Sequence, residues 1–405
     1  MTDADASPGN PPLMGISVLD LGQIYQGPYA AFLMAKAGAD VIKVEPVHGE
    51  PSRTRAKVGR GASLSMAMLN ANKRGVTLNL KSERGRDLLK GMVKRADVLL
   101  ENFAPGVMDG LGVGWPVLHE VNPRLIYASA TGFGLSGPDH ANLAMDLTIQ
   151  AYSGMMSITG MPDGPPLRAG PSVADFLGGV HLYGGIVSAL YERTISGVGR
   201  LVEVAMEEAV YPTLASNLGL LYSKPGAIPP RVGNRHGGLA LAPYNVYPTN
   251  DGHVALICVV EAHWKKLLVA MGREDLESDP RFITNKKRVE FLAETDAVVQ
   301  SWTERRSRQE VFELTRRHRI PSAPVRDLRE VMNDPHMHAR GMLERVDDPD
   351  LGPVVLPSTP IRVHGTGRVK PVSSPLLGEH NHDVYESWLG LSSDEVEGLR
   401  RDGII

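Results

Sequence analysis

The stretch GISVLDLGQIYQGPYAAFLMAKAGADVIKVEP, residues 15–46, decides the fold. Its opening segment, GISVLDLG, is apolar and β-branched, the pattern of a buried strand. GPYAAFLMAKAGA then has helical texture, and DVIKVEP returns to strand. Strand, helix and strand in so short a span form a βαβ unit, which sets the two strands parallel with the helix packed across them.

The alternation continues outward. Residues 82–96, SERGRDLLKGMVKRA, place apolar residues at helical spacing behind Ser82, an N-cap residue ahead of an acidic first turn. DVLLENF (97–103) is a strand, WPVLHEVNP (115–123) a short helix and RLIYASATG (124–132) a strand. The expected fold class is α/β, with a Rossmann-like, doubly wound parallel sheet. Further on, RAGPSVADFLGGVHLYGGIVSALYERT (168–194) carries one carboxylate, Asp175, ahead of a run with no charge before Glu192. That run reads as a buried helix beginning at Phe176 and closed by SGVG. Its 16 uncharged residues are fewer than the ~20 needed to cross a bilayer. RLVEVAM reads as a strand and EEAVYPTLASNLGLLYS as a helix. Residues 224–252 are rich in Pro, Gly, Asn and His and read as a linker into a smaller α+β domain. The strand HVALICVV, the helix AHWKKLLVAMG and helices near 290–302 and 307–318 build that domain. The expected division is 1–215 with 320–405 in the large domain and 225–319 in the small one, with linkers on either side.

Composition narrows the function. A chain of 405 residues is long for one core, which favours two domains. A net charge of −3 argues against a nucleic-acid surface. One cysteine, Cys258, allows no internal disulfide and fits a reducing cytoplasm, and its apolar setting makes it a core residue. The acidic, Pro-rich start MTDADASPGNPP reads as a loose tail and not as a signal peptide. No membrane partner is expected. DLGQIYQGP lacks the G-x-G-x-x-G spacing of a dinucleotide site, no P-loop pattern is present, and no Cys/His set has zinc spacing. The G-x-S-x-G elbow of hydrolases is missing as well.

Nine blocks, in order, resemble the family III CoA-transferases, the formyl-CoA transferase and carnitine CoA-transferase group. They are VLDLGQIYQGPYAAFLMAKAGADVIKVEP, NANKRGVTLNLKS, DVLLENFAPGVMDGLGV, NPRLIYASATGFGLSGP, SGMMSITG, GPPLRAGPSVADFLGG, GNRHGGLALAPYNVYPTNDG, IPSAPV and LLGEHN. The resemblance implies a CoA-transferase that uses acyl-CoA and a small carboxylic acid as substrates, with no tightly bound cofactor and no metal. It also implies an interlocked homodimer.

In that family the acid of the block matching SVADFLGG is the nucleophile, which is Asp175 here. A carboxylate beside an apolar, Gly-rich segment is poorly solvated and therefore more reactive than one in water. An Asp at this place can also cap a helix, and both roles can hold. The resemblance sets Tyr25 and Gln26 at the thioester and Leu78 to Lys81 beside the nucleotide. It also lays Asn102 and Phe103 against CoA. Lys73, Arg74 and Lys81 are the cations available for its phosphates. Pro46 and Gly110 stand where formyl-CoA transferase has CoA-contacting arginines. Gly233, Gly237 and Gly238, with Arg235 and His236, match a glycine-rich lid, although HGGLALAP replaces its four-glycine run. Arg168, Arg231, Arg235 and His236 are candidates for an acceptor carboxylate. Succinyl-CoA is the expected donor and a dicarboxylate such as mesaconate or citramalate the expected acceptor, with CoA migration within one dicarboxylate close by in chemistry. The same fold hosts α-methylacyl-CoA racemases, whose His–Asp pair moves an α-proton. Here NLAMDLTIQA puts Met145 before Asp146, and Met cannot transfer a proton. A non-catalytic CoA-binding protein would lack the nucleophile, and Asp175 is present.

Overall fold

The computed structural model describes residues 9–55, 57–58, 62–223 and 231–405. The expected loose tail over 1–8 and the centre of the expected linker, 224–230, lie outside the described residues. The chain divides into two compact units. One holds the chain up to Ile149, Pro171–Val210 and Asp334–Ile405, and the other holds Gln150–Gly170 and Tyr211–Asn333. Residues 150–170 thus group with the second unit, where Gly160 O accepts from Gly233 N at 3.1 Å and Ser157 O from Arg231 at 3.2 Å.

The first unit is built on six parallel strands: β1 (Ser17–Asp20), β2 (Asp40–Glu45), β3 (Arg74–Thr77), β4 (Val98–Glu101), β5 (Ile126–Thr131) and β6 (Leu201–Ala205). They pair in the order β3-β2-β1-β4-β5-β6. That order is the doubly wound arrangement of dinucleotide-binding sheets. Both faces are covered, so the strands are apolar on both sides. On one face Leu19, Ile42 and Leu99 pack with Leu88, Leu89 and Met92 of α2 (Glu83–Val93) and with Leu118 of α3 (Trp115–Val121). On the other, Val18, Val41, Val98 and Leu100 meet Ala30, Ala31 and Met34 of α1 (Gln26–Lys36). Leu182, Ile186 and Ala189 of α4 (Val173–Ser196) share that face. Each fully buried Leu, Ile or Val side chain contributes about 1.5–3 kcal/mol. Ser82 caps α2 as its sequence predicts, its hydroxyl accepting from Gly85 N at 2.9 Å.

Two helices differ from expectation. α4 starts at Val173, so Asp175 sits inside its first turn and not before it. The segment expected as one helix after β6 breaks at Tyr211–Leu214 into a tight 3₁₀ turn, because Pro212 has no N–H to continue an α-helical ladder. By length and composition α4 could cross a membrane, but its apolar inner face is packed in the sheet-facing core.

The second unit has a small antiparallel sheet of β7 (Tyr244–Thr249), β8 (Gly252–Ile257) and β9 (Ser322–Pro324), with β8 central. Helices α5 (Glu261–Met271), α6 (Leu292–Thr303) and α7 (Arg308–Arg317) cover it around Trp264, Leu267, Val299, Trp302 and Val311. Cys258 lies in this core, where burial pushes its thiol up to about 12. In the first unit the chain closes with a hairpin, β10 (Leu343–Asp348) and β11 (Gly352–Pro357), and with α8 (Asn381–Leu389) and α9 (Ser393–Arg401).

Candidate active site

The strand order reverses between β1 and β4, and a crevice opens beyond their carboxyl ends. A cavity of about 350 Å³ lies there, lined by Gln23, Ile24, Gln26, Asn102, Phe103 and Asp175 among others. Four residues singled out from the sequence therefore meet in one place: Asp175, Gln26, Asn102 and Phe103.

The loop after β1 is fixed from below. Asp20, at the end of β1, is fully buried and accepts from Gly22 N at 2.8 Å. Lys73 Nζ donates to Asp20 at 2.7 Å, to Asn70 Oδ1 at 2.9 Å and to Pro28 O at 3.0 Å. Lys43 donates to Gly22 O. Burial alone would raise the Asp20 carboxyl, but Lys43 and Lys73 hold it below the ordinary range. Burial pulls Lys73 down to about 8 against the opposing pull of Asp20. Higher in the loop, Gln23 N donates to Asn102 Oδ1 at 2.6 Å and Asn102 Nδ2 returns a bond to Gln23 O at 2.9 Å. Ile24 sits at φ +64°, a left-handed conformation that β-branched residues avoid. Its N–H donates to Glu50 at 3.3 Å. Strain of this kind persists only where surrounding bonds enforce it.

Gln26 opens α1. Its side-chain Nε2 is buried with no hydrogen-bond partner. The two glycines after Asp175 explain its placement: a Cβ at Gly178 would stand 2.6 Å from Gln26 Nε2, and one at Gly179 2.7 Å from Gln26 O. α4 and α1 thus cross closely at Gln26, one of the residues lining the cavity. An unpaired buried donor costs about 1–3 kcal/mol, which a ligand's acceptor would recover.

Asp175 is 9% exposed. It does not cap α4. Asp146 does so, its Oδ1 accepting from Ala174 N at 2.8 Å and from Asp175 N at 3.3 Å. Burial, and then the charge of Asp146, push the Asp175 carboxyl up to about 7. The result is a dehydrated carboxylate poised near neutrality, facing a cavity with an unsatisfied amide donor. That is the equipment of a nucleophile with an oxyanion donor beside it. Asp146 entered the sequence reading only as the neighbour of Met145. Its capping partner lies 28 positions away, which no local pattern reveals. Met145 itself is half exposed, and its N–H donates to Thr148 Oγ1 at 2.9 Å.

The remaining expected residues have other surroundings. Tyr25 stacks on Phe176 with ring centroids 6.1 Å apart. Leu78 is buried in the core, and Lys81 is exposed in the turn before α2. The three bonds of Lys73 leave none of its N–H groups for a phosphate. Arg74 begins β3, at the amino edge of the sheet, paired with Asp40 at 2.6 Å and Asp383 at 2.7 Å. In this structure both cations brace the sheet and the loop above it. In the second unit Arg235 binds Asp296 at 2.8 Å, and His236 Nδ1 accepts from Gly238 N at 3.1 Å. Gly233 is tied to Gly160, and a Cβ at Gly237 would strike Asn217. Arg168 turns back onto the carbonyls of Ala169 and Gly170. Among the described residues no three His, Cys, Asp or Glu side chains are placed to share a metal ion.

Comparison with known proteins identifies the family. The model of CoA-transferase family III matches residues 13–381. A formyl-CoA:oxalate CoA-transferase of Streptomyces coelicolor is 37% identical over 97% of this chain and 99% of its own. A succinyl-CoA–D-citramalate CoA-transferase of Chloroflexus aurantiacus is 34% identical over 97% of this chain and 98% of its own. A CAIB/BAIF family protein from Brucella suis, 32% identical, superposes with a TM-score of 0.82 over 94% of this chain and 100% of its own. A doubly wound sheet with a desolvated aspartate at its switch point is thus accompanied by a family match along nearly the whole chain, and the chain belongs to CoA-transferase family III and is a CoA-transferase.

Proposed function

We propose that the enzyme moves CoA from succinyl-CoA to a second small dicarboxylic acid, such as mesaconate or citramalate, with Asp175 carrying the intermediates. The observation that carries this reading is the dehydrated Asp175 carboxylate in one cavity with the unpaired Gln26 amide. The carboxylate attacks the thioester carbonyl, forms a mixed anhydride and releases CoA thiolate. Gln26 Nε2 donates to the oxyanion that develops. The thiolate attacks the aspartyl carbonyl, the donor acid leaves, and an aspartyl-CoA thioester remains. The acceptor carboxylate attacks that thioester and releases CoA thiolate again, which takes the acyl group and restores Asp175. Every bond broken at one step is replaced at the next, and no redox partner is consumed.

A second cavity of about 450 Å³ adjoins the first, and Phe103, Ala104 and Pro105 line both. In this reading the pantetheine arm crosses Phe103, with the thioester toward Asp175. Two relatives supply the substrate class, since both the oxalate and the citramalate enzymes name a dicarboxylate. A mass-spectrometric screen of acyl-CoA donors against carboxylic acids tests it. Succinyl-CoA with mesaconate or citramalate is expected to give the fastest exchange, and faster exchange with a monocarboxylate or with oxalate would overturn the substrate assignment.

The acidic limb of the reaction follows from Asp175. Only the ionised form attacks, so kcat/KM for acyl-CoA is expected to fall as pH drops below about 7. Asp146→Asn keeps an oxygen for the α4 cap and removes the like charge. The limb should move to lower pH with the plateau rate little changed, as read from pH–rate profiles of both proteins. An unmoved limb would refute the coupling.

We propose also that the enzyme is an interlocked homodimer. Tyr191 and Ile195 on the outer side of α4, and Leu143 beside the cavity, are 70%, 76% and 79% exposed in the single chain, apolar surface that a second copy would cover. Light scattering at micromolar concentration is expected to give twice the chain mass, and a monomer would rule the dimer out.

A further inference from the structure

α1 carries Gln26 at its start and Lys36 at its end, about 15 Å apart at 1.5 Å per residue. At the Lys36 end, away from Asp175, the first unit holds another cavity, of about 260 Å³. Lys36, Arg362, Arg368, His364, Thr359 and Tyr183 are among its walls.

The charges there do not balance. The Lys36 side chain is 1% exposed, and its carboxylate partner, Glu344, stands 3.6 Å from Nζ, beyond good hydrogen-bond reach. Arg368 approaches the same carboxylate only to 3.8 Å. Glu344 Oε2 is buried and accepts no hydrogen bond. Arg362 is close enough to Arg340 and Arg368 to feel both charges, and burial together with those two arginines lowers its affinity for a proton. Among the described residues neither Arg340 nor Arg362 has a carboxylate at ion-pair distance. Lys36 and Arg368 thus share one acid, and Arg362 and Arg340 add positive charge beside them. They are also held in place: Arg362 donates to Arg340 O, and Arg368 to Gly341 O at 2.7 Å. Fixed guanidinium groups with spare N–H edges are the geometry that receives carboxylate or phosphate oxygens in pairs.

We propose that this cavity is a binding site for a small dianion, a dicarboxylate or a phosphate ester, held by Lys36, Arg362 and Arg368 and separate from the transfer site. An anion here would neutralise an excess of positive charge at the cavity rim, beside the buried Lys36 ammonium. The walls belong to α1, which carries Gln26 at its other end, to Tyr183 midway along α4, which carries Asp175 in its first turn, and to the segment after β11.

The test uses the full chain saturated with CoA, titrated calorimetrically with succinate and, separately, with inorganic pyrophosphate. The wild type is expected to bind one anion per chain at the new site. Arg362→Gln combined with Arg368→Gln should weaken that binding by about tenfold or more, which is about 1.4 kcal/mol per tenfold. Its transfer activity should stay within a few-fold of wild type. Lys36→Met gives an independent reading should the double variant fold poorly. Preference for succinate assigns the site to dicarboxylates, and preference for pyrophosphate assigns it to phosphate esters. Equal affinity of wild type and variants for both probes, or no binding at about 10 mM, overturns the proposal.

Discussion

Asp175→Asn is expected to lower CoA transfer by about 10³-fold or more while leaving the fold intact. The geometry separates the two roles an Asp could have had at this position. A helix cap would tolerate the change, since Asn caps about as well as Asp. The cap of α4 is Asp146, so the substitution at 175 removes only a charge. Stability gives an independent sign. The folded-state value of Asp175 lies above its unfolded one, so the acid is fully accommodated below the unfolded value of 3.8. It becomes increasingly costly as pH rises, until it ionises near 7. The Asn variant escapes that cost, and above pH 7 it should melt at or above the wild-type temperature. Hydroxylamine added with acyl-CoA should trap a hydroxamate on Asp175 in the wild type and nothing in the variant. Turnover near wild type, with the substitution verified by mass, would end the covalent reading.

The second large effect belongs to Lys73. Lys73→Met leaves Asp20 buried with only Lys43, 4.0 Å away, as a counter-charge. Removing one partner of a buried pair costs about 3–5 kcal/mol. Urea unfolding should show a loss of that order, together with reduced transfer, because the loop bearing Gln23, Ile24 and Gln26 is anchored on Asp20 and Pro28. Adding Asp20→Asn should restore part of the lost stability. A change below about 1 kcal/mol in the single variant would mean that Lys43 suffices.

Lys73 also shows where sequence reading reaches its limit. NANKRGVTLNLKS looks like a cationic turn suited to phosphate, because the chain order hides that Asp20 is 2.7 Å away. The strands of the sheet were legible, since burial on both faces forces uninterrupted apolar runs. Their lateral order was not, because it depends on which way each crossover turns. Asp175 was legible as the one acid at the head of an uncharged helix. The start of that helix was not, because Ser172 makes no side-chain cap and the capping carboxylate comes from Asp146. Pro212 was in plain view, and its effect on the helix after β6 follows from backbone chemistry alone.

The edge strand β3 is completed by the end of the chain. Thr77 N donates to Asn381 Oδ1 at 2.9 Å, Tyr385 donates to Thr77 O at 2.7 Å, and Gly75 N donates to His380 at 3.1 Å. Val384, Tyr385 and Leu399 fill the core beside α2. During synthesis, therefore, one border of the sheet and part of its core wait for residues some three hundred positions downstream. Until those residues leave the ribosome, the nascent chain holds an unpaired strand and uncovered apolar side chains, the features that promote aggregation and engage chaperones. Polypeptides stalled before α8 should accumulate in chaperone-bound or insoluble form, whereas release of the last segment should make the first unit resistant to protease in a single late step.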